Sequence, residues 1–423
     1  MTRLTRPVLS ILTALAMVGT LFVGAPAPAF AADPPIIYYI AQSGIAALTP
    51  GDGTSCAAPD YVEDPAGDDH ASISSALAPA SNGDTIYLCA GTYDIGTSID
   101  LAGETITLQG AAAATTILDG GGATRILTSS GAITVSDLTF QNGWNFLGVG
   151  GAIFAAAIVT VSNSTYTNNT ALYGGAIYAG TATVSNSTFT GNTASFSDGG
   201  AIYATTATVT DSSFTDNTAY SGGGAIHANS TVTVSDSTFA NNDARYGGAI
   251  YANTVTVTSS TLTGNAANFD DGGAIYSSST ATVTDSNFTG NAAYTSGGAI
   301  RAYGTATVSD STFANNDARY GGAIIADSTT ATITRSRFTR NTAGEHGGAM
   351  FLYASNSVDL RQPRGNTFMR NTAPAGGAIT FESCGPAFNR SLAARVERAN
   401  RFSGNRATEQ RRTNSIERLE GIC

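Results

Sequence analysis

Gly174-Gly175-Ala176-Ile177-Tyr178-Ala179-Gly180-Thr181-Ala182-Thr183-Val184-Ser185-Asn186-Ser187-Thr188-Phe189-Thr190-Gly191-Asn192 is one unit of a repeat that runs through most of this 423-residue chain. Gly-Gly-Ala-Ile or Gly-Gly-Ala-Met begins at Gly150, Gly174, Gly199, Gly223, Gly247, Gly272, Gly297, Gly321, Gly347 and Gly376, mostly 24 or 25 residues apart. Between these lies a second landmark, an aromatic residue or Leu three positions before an Asn. It runs from Tyr166/Asn169 and Phe189/Asn192 to Phe402/Asn405. A fixed period of this length is the mark of a solenoid, in which each unit buries its apolar face only against its neighbours.

The period and composition together select the architecture. Helical-pair repeats are longer than 24 residues, and leucine-rich repeats need several Leu per unit, which these units lack. The residues present are Thr, Val, Ile, Tyr and Phe in short alternating runs that read as strands. Alternation puts Val184 and its equivalents on one side and the Thr residues on the other. Gly-Gly supplies the positive φ of a tight corner. The expectation is an all-β, right-handed parallel β-helix of about 24–25 residues per coil, with caps at both ends. Ile153, Ile177, Ile202, Ile226 and Ile250 should form an inward ladder. The Phe residues should form a second, and the Asn residues a corner ladder of amide hydrogen bonds.

Outside the repeat the chain divides into further segments. Residues 1–31 read as a secretory signal peptide: Arg3 and Arg6, an apolar run from Val8 to Val23, and Ala29-Phe30-Ala31 as a cleavage site. Residues 32–83 read as an N-terminal cap, in which Ala71–Ala80 is a short amphipathic segment able to plug the core. Residues 84–386 are the β-helix, with Gly-Gly-Ala-Ile units over 150–379, and residues 387–423 are a C-terminal cap or basic tail. Of the four cysteines, Cys56 and Cys89 lie near one end, Cys384 and Cys423 near the other. Three pairings are possible, and the expected one is Cys56–Cys89 with Cys384–Cys423, a pattern that suits an oxidising compartment.

The net charge of −11 is unevenly spread. Residues 32–300 carry two Arg against 21 acids, whereas residues 301–423 carry 16 Arg against 10 acids. An acidic body argues against nucleic acid as the main partner, and a basic end suits an anionic wall or glycan polymer. Val234–Ile250 and Val308–Ile324 are the same 17 residues, 74 positions apart, which marks a duplicated block of three coils. In that duplication His227 falls opposite Arg301.

The pairing of Gly-Gly-Ala-Ile with Phe-x-x-Asn resembles the repeats of the polymorphic outer membrane proteins, and the fold resembles the pectin-lyase-like superfamily. The resemblance covers residues 84–407. It implies a secreted or surface-exposed β-helix, often an adhesin, and possible outer-membrane association. The C-terminal membrane barrel usual in such proteins has no counterpart after Asn405. Superfamily relatives include polysaccharide lyases and hydrolases, so the fold alone does not settle activity.

Catalysis on this scaffold would need converging charged groups: two carboxylates for hydrolysis, or acids with an Arg or Lys base for elimination. Asp211, Asp236, Asp285 and Asp310 fall in one corner column, where turn chemistry alone favours Asp. Asp198, Asp270 and Asp271 precede Gly-Gly corners. His70, His227 and His346 are scattered and read as exposed corner residues. No catalytic residue, metal or cofactor is assigned, although acids clustered with an Arg around Arg301 or Arg319 would favour an enzyme. The residues after the inward Ile are Phe154, Tyr178, Tyr203, His227, Tyr251, Tyr276 and Arg301. Such an outward aromatic stripe can be a platform for sugar rings or a strand-stabilising column. Phe154, Tyr178, Tyr203, Tyr251, Tyr276 and Arg301 are the candidate ligand-binding residues.

A second outward column pairs Thr residues two apart, from Thr181/Thr183 to Thr330/Thr332, and resembles the ice-binding face of β-helical antifreeze proteins. Thr is also an ordinary outward strand residue. The sequence thus points to a monomeric, non-enzymatic adhesin, structural or glycan-binding rod. Its partners would be an extracellular glycan, the cell wall or another protein surface. It has no transmembrane segment in the mature chain. Alternatives are a polysaccharide lyase or hydrolase, and an ice-binding protein.

Overall fold

The computed structural model describes residues 35–43, 46–63, 67–327, 330–353, 357–359, 365–383, 396–408 and 416–420. The signal peptide, Cys384 and Cys423 lie outside the described residues. So do all of residues 384–395, within which the C-terminal cap was expected to begin.

The repeat folds as a parallel β-helix, as its period predicts. From Ile177 to Ala293 each coil contributes a long strand, a three-residue strand and a two-residue strand to three separate parallel sheets. For the unit quoted above these are Ile177–Ser185, Thr188–Thr190 and Thr193–Ala194. Among the described residues the second sheet stacks thirteen strands and the third eleven. Register is kept from coil to coil: Ile177 pairs with Ile202, which pairs with Ile226, and Phe189 pairs with Phe214. The long sheet starts at Tyr61–Val62, which pairs with Ile37–Ala41 and through it with Thr85–Leu88, and ends at Ile416–Glu420, which pairs with Ile379–Ser383. The segments flanking the repeat therefore add strands as well as caps. The helix His70–Leu77 buries Ile73 and Ala76 against the core at the N-terminal end. The Cys56–Cys89 disulfide ties the loop beside it to the first coil.

Three inward ladders fill the coils. Ile153, Ile177, Ile202, Ile226 and Ile250 are fully buried. Tyr166, Phe189, Phe214 and Phe239 stack face to face with ring centroids 4.6–4.8 Å apart and planes within 3°. Each such contact contributes about 1 kcal/mol beyond burial. In the Asn ladder, Nδ2 of Asn192 donates to Oδ1 of Asn217 at 2.9 Å and to the Tyr166 carbonyl at 3.0 Å, while its backbone N–H donates to the same Oδ1. All the polar capacity of a buried amide is thereby used, which low dielectric surroundings demand. A fourth ladder was not anticipated. The N–H of Ser187 donates to Oγ of Ser212, and Oγ of Ser187 donates to the Ser185 carbonyl. Ser and Thr are so frequent in this chain that the buried Ser was hidden among outward ones.

The two glycines of each corner have different duties. Only the first has positive φ, 67° at Gly223. A Cβ on the second, Gly224, would overlap the backbone carbonyl of Gly248 in the next coil. The pair is thus a turn residue followed by a close-approach residue. Asp211, Asp236, Asp285 and Asp310 occupy left-handed corner positions with φ of 48–51°. That conformation is one Asp and Asn tolerate better than other side chains, and it accounts for the column without catalysis.

Candidate functional site

The outward side of the long strand just after the Gly-Gly corner carries the aromatic stripe. Parallel pairing fixes Phe154, Tyr178, Tyr203, His227, Tyr251, Tyr276 and Arg301 in one column. From Tyr178 to Tyr276 the rings lie parallel, with centroids 4.7–5.0 Å apart and planes 6–7° apart. Each ring face is covered by the next ring, so the column offers solvent its edges and hydroxyls. The Tyr rings are half-buried, and Tyr203 Oη donates to Asn229 Oδ1 at 3.1 Å. Arginines close both ends: the Arg125 guanidinium lies 5.3 Å from the Phe154 ring, and Arg301 follows Tyr276.

His227 is a ring of this stack, not an exposed corner residue as expected from sequence. It is 8% exposed because Tyr203 and Tyr251 cover both its faces. Its Nδ1 lies 3.5 Å from Asp198 Oδ1, an oxygen that also accepts from the Gly222 N–H at 2.7 Å. Burial lowers the His227 pKa below the ordinary value, and the Asp198 charge opposes this only in part.

Arg301 points out from the sheet, as expected, but is only 5% exposed. Its Nε lies 3.4 Å from Asp271 Oδ2, its Nη2 pairs with Asp327, and its guanidinium sits 3.8 Å from the Tyr303 ring centroid. Burial disfavours the Arg301 charge, yet the hydrogen bond to Asp327 and the nearby carboxylates hold its pKa above the ordinary value. Burial raises the Asp271 pKa against the pull of Arg301. Among the described residues of this cluster, Nε and Nη1 of Arg301 and one oxygen each of Asp271 and Asp327 lack a hydrogen-bond partner. The two acids around Arg301 form the kind of cluster expected to favour an enzyme, with the Asp271 side chain 9% and the Asp327 side chain 24% exposed.

A second row of aromatics escaped sequence reading. Phe196, Tyr220, Phe269 and Tyr294 stand three residues before a Gly-Gly corner, where strand alternation no longer marks them. Tyr220, Phe269 and Tyr294 are 67%, 73% and 70% exposed. Between Tyr220 and Phe269 lies a depression of about 460 Å³, floored by Thr218, Asp243 and Ala244 and edged by Arg245. Burial raises the pKa of Asp243, whose carboxylate accepts from Asn268 Nδ2 at 2.7 Å. Their common offset from Gly-Gly was the available signal.

The Thr pairs hold register in the other half of the long strand. Thr183 pairs with Thr208, Thr208 with Thr233, Thr233 with Thr256 and Thr256 with Thr282. No described helix is long and apolar enough to cross a membrane.

No curated protein sequence matches the chain. Among solved structures it is similar to the catalytic unit of a GH87 α-1,3-glucanase from Streptomyces thermodiastaticus, with 16% identity and a TM-score of 0.44, over 80% of this chain and 64% of that one. A PL6 alginate lyase is similar at 13% identity and a TM-score of 0.37, over 79% of this chain and 52% of that one. The A-module of a mannuronan C-5 epimerase from Azotobacter vinelandii is similar at 14% identity and a TM-score of 0.33, over 85% and 97%. The chain thus spans less than two thirds of the length of the first two. The sequence profile described as the right-handed beta helix region matches residues 123–280 and 224–392, which together cover more than half of the chain, and the chain belongs to that family.

Proposed function

We propose that this chain is a secreted or cell-surface rod that binds glycan along its aromatic side without cleaving it. The observation that carries the reading is the pairing of two aromatic rows at one corner. The stacked column presents Tyr178, Tyr203, Tyr251 and Tyr276 by edge and hydroxyl. The row of Phe196, Tyr220, Phe269 and Tyr294 leaves apolar area exposed beside it. Folding a β-helix does not require large aromatics in water, and such exposure is costly unless a partner covers it. Sugars match this surface because they combine apolar ring faces with hydroxyls. The Cys56–Cys89 disulfide agrees with export. The adhesin role implied by resemblance to the polymorphic outer membrane protein repeats belongs to the same proposal.

The test is a glycan array read with the wild-type chain and with Tyr178, Tyr203, Tyr251 and Tyr276 all replaced by Phe. The variant keeps the stack and loses the hydroxyl row. Binding at least about ten-fold weaker, with an unchanged melting midpoint, is the expected result, since lost hydrogen bonds cost about 1 kcal/mol each. Unchanged binding on every glycan would remove the column from the reading.

The cluster of Arg301 with Asp271 and Asp327 favours a second reading, polysaccharide cleavage by hydrolysis or elimination. Release of reducing ends or unsaturated products from a polysaccharide panel, lost in Asp271→Asn, would establish it.

A further inference from the structure

The aromatic side is built twice. The duplicated 17 residues lie 74 positions apart, and the sheet register converts that interval into three coils. Asp243 pairs with Ala266, Ala266 with Ala292 and Ala292 with Asp317. His227 pairs with Tyr251, Tyr251 with Tyr276 and Tyr276 with Arg301. The interval is about 14 Å along the axis at the spacing of paired strands.

What repeats at this interval is more than the copied stretch. In the first station Asp198 lies 3.5 Å from His227 on the next coil, and in the second Asp271 lies 3.4 Å from Arg301 on the next coil. Tyr220 recurs as Tyr294, both largely exposed. Arg245 sits 5.2 Å from the Tyr246 ring and pairs with Asp270, and Arg319 sits 5.2 Å from the Tyr320 ring and pairs with Glu345. Two sites of one design therefore face the same way on one line parallel to the axis. They differ in detail: Gly344 stands where the first station has Phe269.

Resting on the glycan-binding reading, we infer that the two stations grip a single linear, uncharged, β-1,4-linked glycan lying along the rod, each station contacting one sugar, the two sugars lying three coils apart. The geometry selects this class. An extended β-1,4 chain advances by nearly one strand spacing per sugar, so it keeps step with the coils, whereas a coiled α-linked chain drifts out of register. The charge selects it too. The two stations carry Asp198, Asp243, Asp270, Asp271, Asp317 and Glu345 against Arg245, Arg301 and Arg319, so acids outnumber bases. Carboxylates of this kind accept hydrogen bonds from sugar hydroxyls and repel uronate chains.

The consequence is a length threshold. A short oligomer engages one station, and one that spans three coils engages both, which raises affinity by effective concentration. Calorimetry of the full chain with N-acetylated chito-oligosaccharides from dimer to hexamer reads this directly. The expected result is a rise in affinity of at least about ten-fold between trimer and pentamer. Tyr220→Ala or Tyr294→Ala alone should abolish the rise and leave dimer affinity within about two-fold, and both together should remove dimer binding. These side chains are mostly exposed, so the variants keep the fold. Oligogalacturonate of the same lengths should not bind. Dimer and hexamer binding equally, a rise that survives Tyr294→Ala, or no chito-oligosaccharide binding at any length would each overturn the inference. In the last case the broader glycan reading still stands if an array glycan is lost on the Tyr→Phe replacement, and falls if no array glycan binds.

Discussion

Each long strand has two outward halves, and they have been filled by different rules. The later half repeats Thr at Thr183, Thr208, Thr233, Thr256, Thr282, Thr307 and Thr332 with no variation over seven coils. The earlier half reads Tyr178, Tyr203, His227, Tyr251, Tyr276, Arg301 and then Ile325, so its chemistry changes from coil to coil. Both halves belong to one sheet with one inward core. Thr satisfies the outward requirement of a strand by propensity alone. A buried His, a buried Arg and their carboxylates do not follow from that requirement, and they sit beside exposed aromatics. The difference between the halves locates the residues that folding leaves unexplained.

The inward ladders that both halves share should show the largest stability effects. Asn217 is fully buried; its Nδ2 donates to the Phe189 carbonyl and to Asn242 Oδ1, and its Oδ1 accepts from both the backbone N–H and Nδ2 of Asn192. Asn217→Ala strands several of those groups, at about 1–3 kcal/mol each. A loss of more than about 3 kcal/mol in urea denaturation is expected. A loss below 1 kcal/mol would mean that water replaces the amide and that the ladder is not a structural spine.

The two halves can be set against each other within one coil. Arg301→Met leaves the buried Asp271 and the partly exposed Asp327 without their cation, a loss of about 3 kcal/mol. Thr307→Ala in the same coil removes an outward side chain and should stay within about 0.5 kcal/mol. Equal effects of the two substitutions would erase the distinction between the halves.

A pH titration sharpens the same contrast. Burial depresses the His227 pKa, so the folded chain holds the ring neutral where the unfolded chain has begun to protonate it. The unfolded state then binds more protons, and stability rises with pH through that window. The contribution is complete above the ordinary His value near 6.5 and is lost as pH falls through the depressed one. In His227→Tyr the stack continues with the residue found on either side. Urea midpoints at pH 7 and pH 5 should differ less in this variant than in the wild type. A difference of the same size in both would place the acid sensitivity elsewhere.

The sequence revealed much of what recurs once per coil, namely the period, the inward Ile, Phe and Asn positions and the corner Asp column, but not the equally regular buried Ser, which is lost among outward Ser and Thr. Phe154, Tyr178, Tyr203, Tyr251, Tyr276 and Arg301 were legible as a column because strand alternation assigns the residue after an inward Ile to the outside. The direction of their ring faces was not legible, since stacking depends on χ angles and not on spacing. Nor was the burial of His227, which comes from stacking between Tyr203 and Tyr251, or of Arg301, which comes from Asp271, Tyr303 and Asp327. Tyr220 and Phe269 stand where alternation has stopped, and only their shared offset from Gly-Gly gives them away.

The smallest effect concerns the Thr half itself. Thr208 and its neighbours in register are partly exposed, and their methyl and hydroxyl groups make a regular array. If that array only meets the β-propensity of an outward strand, replacing Thr183, Thr208 and Thr233 together by Ala should cost no more than about 0.5 kcal/mol per site. Chito-oligosaccharide affinity should be unchanged, because the substituted residues lie on the far half of each strand. The wild-type chain should show no thermal hysteresis at millimolar concentration. Hysteresis lost in the triple variant would reverse the assignment, making the uniform half the working surface and the aromatic half a stabilising stack.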